Sequence, residues 1–250
     1  MRTLAEALGI LRCFLVTIPL IYLSTIVMGS ISLLVSLADR TGRAQHACAR
    51  LWARSLLFVS GARVTVRGLE HFTPGRACIF AANHQSYMDI PVAFGYLPGE
   101  FRIMAKASLF HIPFLGWHLR RSGHVSIARD NPRRAARSLL EAASRVRQGT
   151  SVFVFPEGGR SLDGRLGEFK AGTFLLAIKA AAPVIPVTIN GTRAVLRRNS
   201  FYIRAGWIEM ILHAPIPTEG MHTDSAEKLC EQVRAMIAEE FNEATAVAPH

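Results

Sequence analysis

The chain has 250 residues, half of them hydrophobic, and a formal net charge of +11. Its positive mean hydropathy is high for a soluble domain, with much of the excess in one N-terminal segment, and its cationic balance points to an anionic partner: a phospholipid surface, a nucleic acid or a phosphorylated substrate. The four cysteines, Cys13, Cys48, Cys78 and Cys230, are scattered without a CxxC pair or a Cys/His cluster, which argues against a disulfide framework or a structural zinc site and for a reducing compartment.

Residues 13–38 carry no charge and lie between Arg12 and the pair Asp39-Arg40. At 1.5 Å per residue a helix of this length crosses a ~30 Å hydrocarbon core. Pro19 lies inside it, and Gly29-Ser30 offers a second break. The stretch therefore predicts either one transmembrane helix or a helix and partial helix dipping into one leaflet, with a buried core helix as the plainer alternative. It is too long for a signal peptide and lacks a small-residue cleavage site. Arg40, Arg43, Arg50 and Arg54 follow closely, and that bias places the rest of the chain on the cytoplasmic side. Residues 43–57 mix Arg with Ala, Leu and Trp52, the pattern of an interfacial helix.

Alternation over 62–68 predicts a first strand. Apolar runs at 77–82, 102–105, 125–127, 151–155 and 184–189 predict five more. The clearest helix covers 131–148, with Asn131 as N-cap, Pro132 in the first position and Gly149 at the end. Residues 171–182 predict a short buried helix stopped by Pro183. Residues 203–213 read as a hairpin around Ala205-Gly206. A capping-box-like Asp224-Ser225-Ala226-Glu227 starts a last helix with Leu229, Val233, Met236, Ile237 and Phe241 on its apolar face. Residues 244–250 read as a frayed tail. Strands alternating with helices predict an α/β fold: a mixed, largely parallel sheet flanked by helices, behind an N-terminal membrane-associated helical segment. No internal repeat appears.

Three stretches carry candidate chemistry. In the first, Ala82-Asn83-His84-Gln85-Ser86-Tyr87-Met88-Asp89, the five-residue separation of His84 and Asp89 rotates the second side chain by roughly 140° in a regular helix. The two meet only if His84 lies in a loop and Asp89 in the turn or first helical turn after it. Asp89 then accepts from one imidazole nitrogen and leaves the other as a base. The bland alternative is an Asn-His loop before an Asp that favours a helix dipole. The second stretch, Phe155-Pro156-Glu157-Gly158-Gly159-Arg160-Ser161, also lies beyond a strand, where loops line the ligand crevice of open α/β sheets. Its glycines let backbone N–H groups approach an anion, and Arg160 can bind phosphate oxygens bidentately. Glu157 can accept from a substrate hydroxyl or orient the Arg; a Gly-rich turn with a surface ion pair is the plain reading. In the third, Lys106 comes directly after a strand, ahead of the apolar group Phe110, Ile112, Phe114, Leu115 and Trp117. That group fits an acyl-chain groove, a membrane contact or ordinary core. Arg129 is a further strand-end cation, or a solvated charge beside Asp130.

Together these stretches resemble the glycerolipid acyltransferase family that contains the 1-acylglycerol-3-phosphate acyltransferases. Asn83-His84 through Asp89 matches its His-x4-Asp signature. Lys106, Leu109, Pro113 and Gly116 match its second block, with Arg129 at the place of a phosphate-binding Arg. Phe155-Pro156-Glu157-Gly158 with Arg160-Ser161 matches the third, and Phe169-Lys170-Ala171-Gly172 and Val184-Ile185-Pro186-Val187 match the segments usual after that block. The resemblance runs from about Arg63 to Pro217. Two positions depart from it: Gly159 stands where Thr is usual, and Ala128 where Asp commonly precedes the Arg at 129.

The resemblance implies an anchoring segment over 1–60 and an acyltransferase domain over 61–250. It implies transfer of an acyl group from acyl-CoA or acyl-carrier protein to the sn-2 hydroxyl of 1-acyl-glycerol-3-phosphate, with no metal and no cofactor beyond that acyl donor. His84 is then the general base and Asp89 its partner. Arg160, Arg129 and Lys106 hold the phosphate, and Glu157, Gly158 and Asn83 complete the substrate site. The expected partners are the phospholipid bilayer, the lysophospholipid and the acyl donor, not nucleic acid. The expected location is a membrane, the inner one in a bacterium, with the site facing the cytoplasm. Another acceptor such as a lyso-ornithine lipid, a non-catalytic membrane adaptor of the same fold, and a basic nucleic-acid-binding protein are the alternatives. The dispersed arginines and the long apolar stretch argue against the last.

Overall fold

The computed structural model describes residues 4–128 and 131–243. The N-terminal apolar stretch is helical throughout: α1 (Leu4–Arg12) passes through one π turn, Cys13–Thr17, into α2 (Ile18–Val35). The π turn comes just before Pro19, which lacks an N–H and crowds the carbonyl four residues back; the Ile18 N–H donates instead to Cys13 O, five residues back. Gly29-Ser30 does not interrupt the helix. Glu6–Val35, at 30 residues, is long and apolar enough to cross a membrane.

Helix α3 (Arg43–Ser60) runs back along α2, with Ser24 Oγ 2.8 Å from Ser55 Oγ and Trp52 Nε1 donating to Thr25 Oγ1. It differs from a free interfacial helix. Ala49, Ala53, Leu56 and Leu57 join the core beneath the sheet, while Leu51 and Phe58 stay exposed. Arg50 and Arg54 donate to the carbonyls of Phe94, Gly95, Leu97 and Gly99. They thus satisfy the C-terminal end of α4 (Asp89–Tyr96). Two cations that read from sequence as a topology signal therefore anchor the helix that starts with Asp89.

Seven strands, β1 (Ala62–Arg67), β2 (Ile79–Ala82), β3 (Phe101–Lys106), β4 (Val125–Ile127), β5 (Ser151–Val154), β6 (Val184–Asn190) and β7 (Gly206–Leu212), form one sheet in the order β1-β7-β6-β2-β5-β3-β4. Strands β6, β2, β5, β3 and β4 are mutually parallel; β7 is antiparallel to β6 and parallel to β1. The hairpin expected over 203–213 is absent. Gly206 opens a single strand whose partners are β1 and β6, so the Ala-Gly pair marks a strand start and not a turn.

Helices α5 (Leu115–Arg121), α6 (Pro132–Arg147), α7 (Leu175–Ala180), α8 (Thr192–Val195) and α9 (Ala226–Glu240) complete the domain. Alternate strand residues feed two cores. Phe80, Phe153, Ile185 and Val187 pack on the side of α3 and α4, and Ile79, Val152, Val154 and Val184 on the side of α6, α7 and α9. Strands covered on both faces read as continuous apolar runs, which explains their sequence pattern. Asn131 caps α6 through the Arg134 N–H. Helix α7 is shorter than expected, because a 3-10 turn, Ala171–Thr173, precedes it and Ala181 leaves it in the left-handed region. The Asp224–Glu227 capping box does not form: a 3-10 turn, Thr223–Ser225, leads into α9 without a side-chain cap. The tail 244–250 lies outside the described residues.

Candidate active site

The carboxyl ends of β6, β2 and β5, neighbours in the sheet, converge on His84. The chain leaves β2, turns through residues 84–88 and enters α4 at Asp89, so the loop-and-helix-start geometry required by the five-residue spacing is met. His84 Nδ1 is 2.7 Å from Asp89 Oδ2, with the imidazole nearly covered and the carboxylate fully buried. The same oxygen accepts the N–H groups of Gln85 and Ser86 at 2.7 and 2.8 Å. Asp89 Oδ1 accepts from Thr192 Oγ1 at 2.5 Å. A buried carboxylate with four donors is a fixed acceptor. It selects the tautomer with the proton on His84 Nδ1 and leaves Nε2 as the basic nitrogen. The ring lies flat on Phe155, centroids 3.8 Å apart and planes 10° apart, which restricts its rotation.

The Glu157–Arg160 loop grips the backbone of His84 from both sides. Glu157 Oε1 accepts the His84 N–H at 2.6 Å, and the Ser161 N–H donates to His84 O at 2.8 Å. Glu157 Oε2 accepts from the Gly167 N–H. Burial pushes the Glu157 carboxyl up to about 7, against the lowering effect of those two N–H groups. Both its oxygens thus serve the scaffold. Gly158 turns the loop at φ +74, and a Cβ there would lie 3.0 Å from Lys170 Nζ. The Arg160 guanidinium stacks over Tyr87 of the His84–Asp89 turn at 3.5 Å, and among the described residues it forms no ion pair. Its donor edge is therefore available to an anion. The loop is held despite Gly159: besides Ser161, the Gly158 N–H bonds Phe155 O and the Arg198 guanidinium bonds Arg160 O.

Asn83 is buried, and both amide atoms are engaged by Ile189 of β6 at 2.9 and 2.8 Å. It extends the β2–β6 ladder and aims His84 from behind. Lys106 ends β3, two strands from β2 or roughly 10 Å, and is exposed. Ala105 packs on the same core as Phe80, so strand alternation turns Lys106 toward the other face. The structure brings His84, Asp89, Glu157 and Arg160 together and leaves Lys106 apart. Arg129 lies outside the described residues. Among the described residues, no group of three or more His, Cys, Asp or Glu is arranged for a metal ion. Of the apolar group after Lys106, Phe110 is buried while Ile112, Phe114 and Trp117 are exposed. Trp117 shares an open groove of about 680 Å³ with Leu33, Leu34 and Leu37 of the N-terminal region. Sequence reasoning missed Thr192. Its signal is its place: Asn190-Gly191-Thr192 is another polar turn at the carboxyl end of a buried strand.

The fold and this geometry define an α/β domain with a buried His–Asp pair and an arginine-bearing loop at the carboxyl ends of parallel strands, suited to general-base chemistry. A sequence model described as Acyltransferase matches residues 63–190. The chain is 36% identical over 211 residues to the chloroplastic 1-acyl-sn-glycerol-3-phosphate acyltransferase BAT2 of Brassica napus, with 83% of this chain and 59% of that one covered. It is 30% identical over 195 residues to the human 1-acyl-sn-glycerol-3-phosphate acyltransferase alpha, covering 78% of this chain and 69% of that one. The crystal structure of the 1-acyl-sn-glycerophosphate (LPA) acyltransferase PlsC from Thermotoga maritima superposes with a TM-score of 0.74 at 26% identity, covering 93% of this chain and 98% of that one. The chain belongs to the acyltransferase family that includes these proteins. It spans between half and two thirds of the chloroplastic relatives it matches, 59% and 54%.

Proposed function

We propose that the chain transfers a fatty acyl group from acyl-CoA or acyl-carrier protein to the sn-2 hydroxyl of 1-acyl-glycerol-3-phosphate, giving phosphatidate. The observation that carries this reading is the 2.7 Å contact of His84 Nδ1 with the buried Asp89 carboxylate, which leaves Nε2 as base. Nε2 takes the hydroxyl proton as the hydroxyl oxygen attacks the thioester carbonyl. The resulting imidazolium faces a carboxylate, as in a Ser-His-Asp triad, with the substrate's own hydroxyl in place of the serine. The tetrahedral intermediate expels the thiolate, and Nε2 returns the proton to it. Arg160, stacked on Tyr87 of the same turn, binds the acceptor phosphate and sets the hydroxyl beside His84.

The acceptor is a lipid, and the N-terminal helix supplies the membrane contact. It is tied to the domain along its length. The Ile203 N–H donates to Cys13 Sγ near one end; Ser32 Oγ meets His118 Nδ1 and Arg121 donates to Ser36 O near the other. Cys13 and Ser36 are about 35 Å apart along a helix, as long as the hydrocarbon core is thick. A helix bound in this way does not cross a bilayer without drawing the domain in with it. Its exposed Leu8, Leu15, Leu23, Ile26 and Leu34 therefore enter one leaflet, the cytoplasmic one, where the acyl donors are found. The test is acyl transfer by the purified chain in vesicles, with lysophosphatidate, lysophosphatidylcholine and a lyso-ornithine lipid as acceptors and both donor types. Turnover highest with lysophosphatidate supports the reading. Turnover confined to an acceptor without a phosphomonoester overturns it.

A further inference from the structure

The match to the acyltransferase sequence model ends at Asn190, and the next segment of the chain holds the site together. Gly191 adopts φ +85, and a Cβ there would lie 2.1 Å from Trp207 O of β7. Only glycine passes this point, and the turn it makes delivers Thr192 to Asp89. Asp89 Oδ2 already has three donors, whereas Oδ1 has the Thr192 hydroxyl, itself fully buried. The next residue, the buried Arg193, donates to Ser161 O at 3.3 Å and Leu162 O at 2.9 Å. The Ser86 hydroxyl closes the connection by donating to Leu196 O at 2.6 Å. One short segment therefore touches both the His84–Asp89 turn and the arginine-bearing loop. Among the described residues Arg193 forms no ion pair. A buried guanidinium spent on two loop carbonyls contributes little net stability, and the loop it holds is the one that carries Arg160.

We propose that Thr192 and Arg193 are positioning residues for acyl transfer. Thr192 fixes the rotation of the Asp89 carboxylate and through it the His84 ring; Arg193 fixes the Arg160–Leu162 turn and through it the anion site. The inference rests on His84 acting as the base. The two residues act on different steps, so their variants separate kinetically. With the full chain in vesicles, Thr192→Val lowers kcat about tenfold, the worth of one hydrogen bond to a charged group, with the KM for lysophosphatidate within about twofold. Thr192→Ser restores kcat. Arg193→Met raises that KM about tenfold and leaves kcat within about twofold. Thr192→Ala gives the same kcat loss and serves if the Val variant does not fold. Wild-type kcat in Thr192→Val or Thr192→Ala overturns the assignment, as does a Ser variant as impaired as Val. His84→Ala distinguishes the two failures. If His84→Ala is inactive while the 192 and 193 variants match wild type, this inference alone fails. If His84→Ala turns over normally, the base reading fails with it.

Discussion

Replacing Asp89 by Asn tests the role of charge without removing shape. The carboxylate serves four donors: His84 Nδ1 and the Gln85 and Ser86 N–H groups on Oδ2, and the Thr192 hydroxyl on Oδ1. An Asn amide placed with its oxygen at the Oδ2 position still meets the first three. Its NH₂ then faces Thr192 Oγ1, which accepts as readily as it donates. The fold survives and the imidazole keeps its orientation, but the imidazolium formed during transfer loses its counter-charge. General-base assistance is worth about 10²–10⁴-fold, or about 3–5 kcal/mol of barrier at 1.36 kcal/mol per decade. Asp89→Asn should lower kcat by that factor at unchanged KM for the acceptor. Asp89→Ala strands four donors, each costing about 1–3 kcal/mol when buried without a partner, and should not accumulate as folded protein. The assay is thiol release in lysophosphatidate-containing vesicles, alongside circular dichroism and vesicle sedimentation of each variant. Turnover of folded Asp89→Asn within a few-fold of wild type would refute the reasoning.

Glu157 holds its proton in the folded chain up to about 7, against an ordinary value of 4.5. Between those values the unfolded chain ionises first, so stability falls as pH rises from 4.5 through 7, by about 3 kcal/mol in all. Urea midpoints of wild type and Glu157→Gln measured from pH 5 to 8 should converge toward the acid end, and parallel curves would rule this out. His46 is shifted the opposite way, to about 4, by burial and by Arg50 and Arg102. Its unfolded form is protonated first, so stability is complete above about 6.5 and is lost as pH falls toward 4, by about 2 kcal/mol at pH 5. His46→Leu should flatten that acid slope, and an unchanged slope counts against it. Arg160→Ala should raise the KM for a phosphorylated acceptor about tenfold or more and affect kcat less. Unchanged KM and kcat would remove Arg160 from the site.

Much of the sheet was legible because parallel strands buried on both faces appear as short apolar runs between turn residues. The hairpin expected over 203–213 failed for the converse reason. The partner of β7 on one side is β1, far away in sequence, and nothing local announces such a pairing. The His84–Asp89 geometry was legible because spacing and a strand end together allow few conformations. The employment of Glu157, Asn83, Arg50 and Arg54 was not. Each spends its polar atoms on backbone groups distant in sequence, and side-chain chemistry alone does not tell a ligand contact from a scaffold contact. Thr192 escaped for the same reason, since its meaning depends on Asp89 lying across the β2–β6 boundary.

The central claim is that the His84 imidazole removes the acceptor's proton. The most direct measurement is the single-turnover rate of acyl transfer by His84→Ala in vesicles saturated with lysophosphatidate and acyl donor, on protein whose melting and membrane binding match wild type. The account predicts transfer slower than wild type by about 10²–10⁴-fold, the worth of the general base. Near-normal transfer would contradict it.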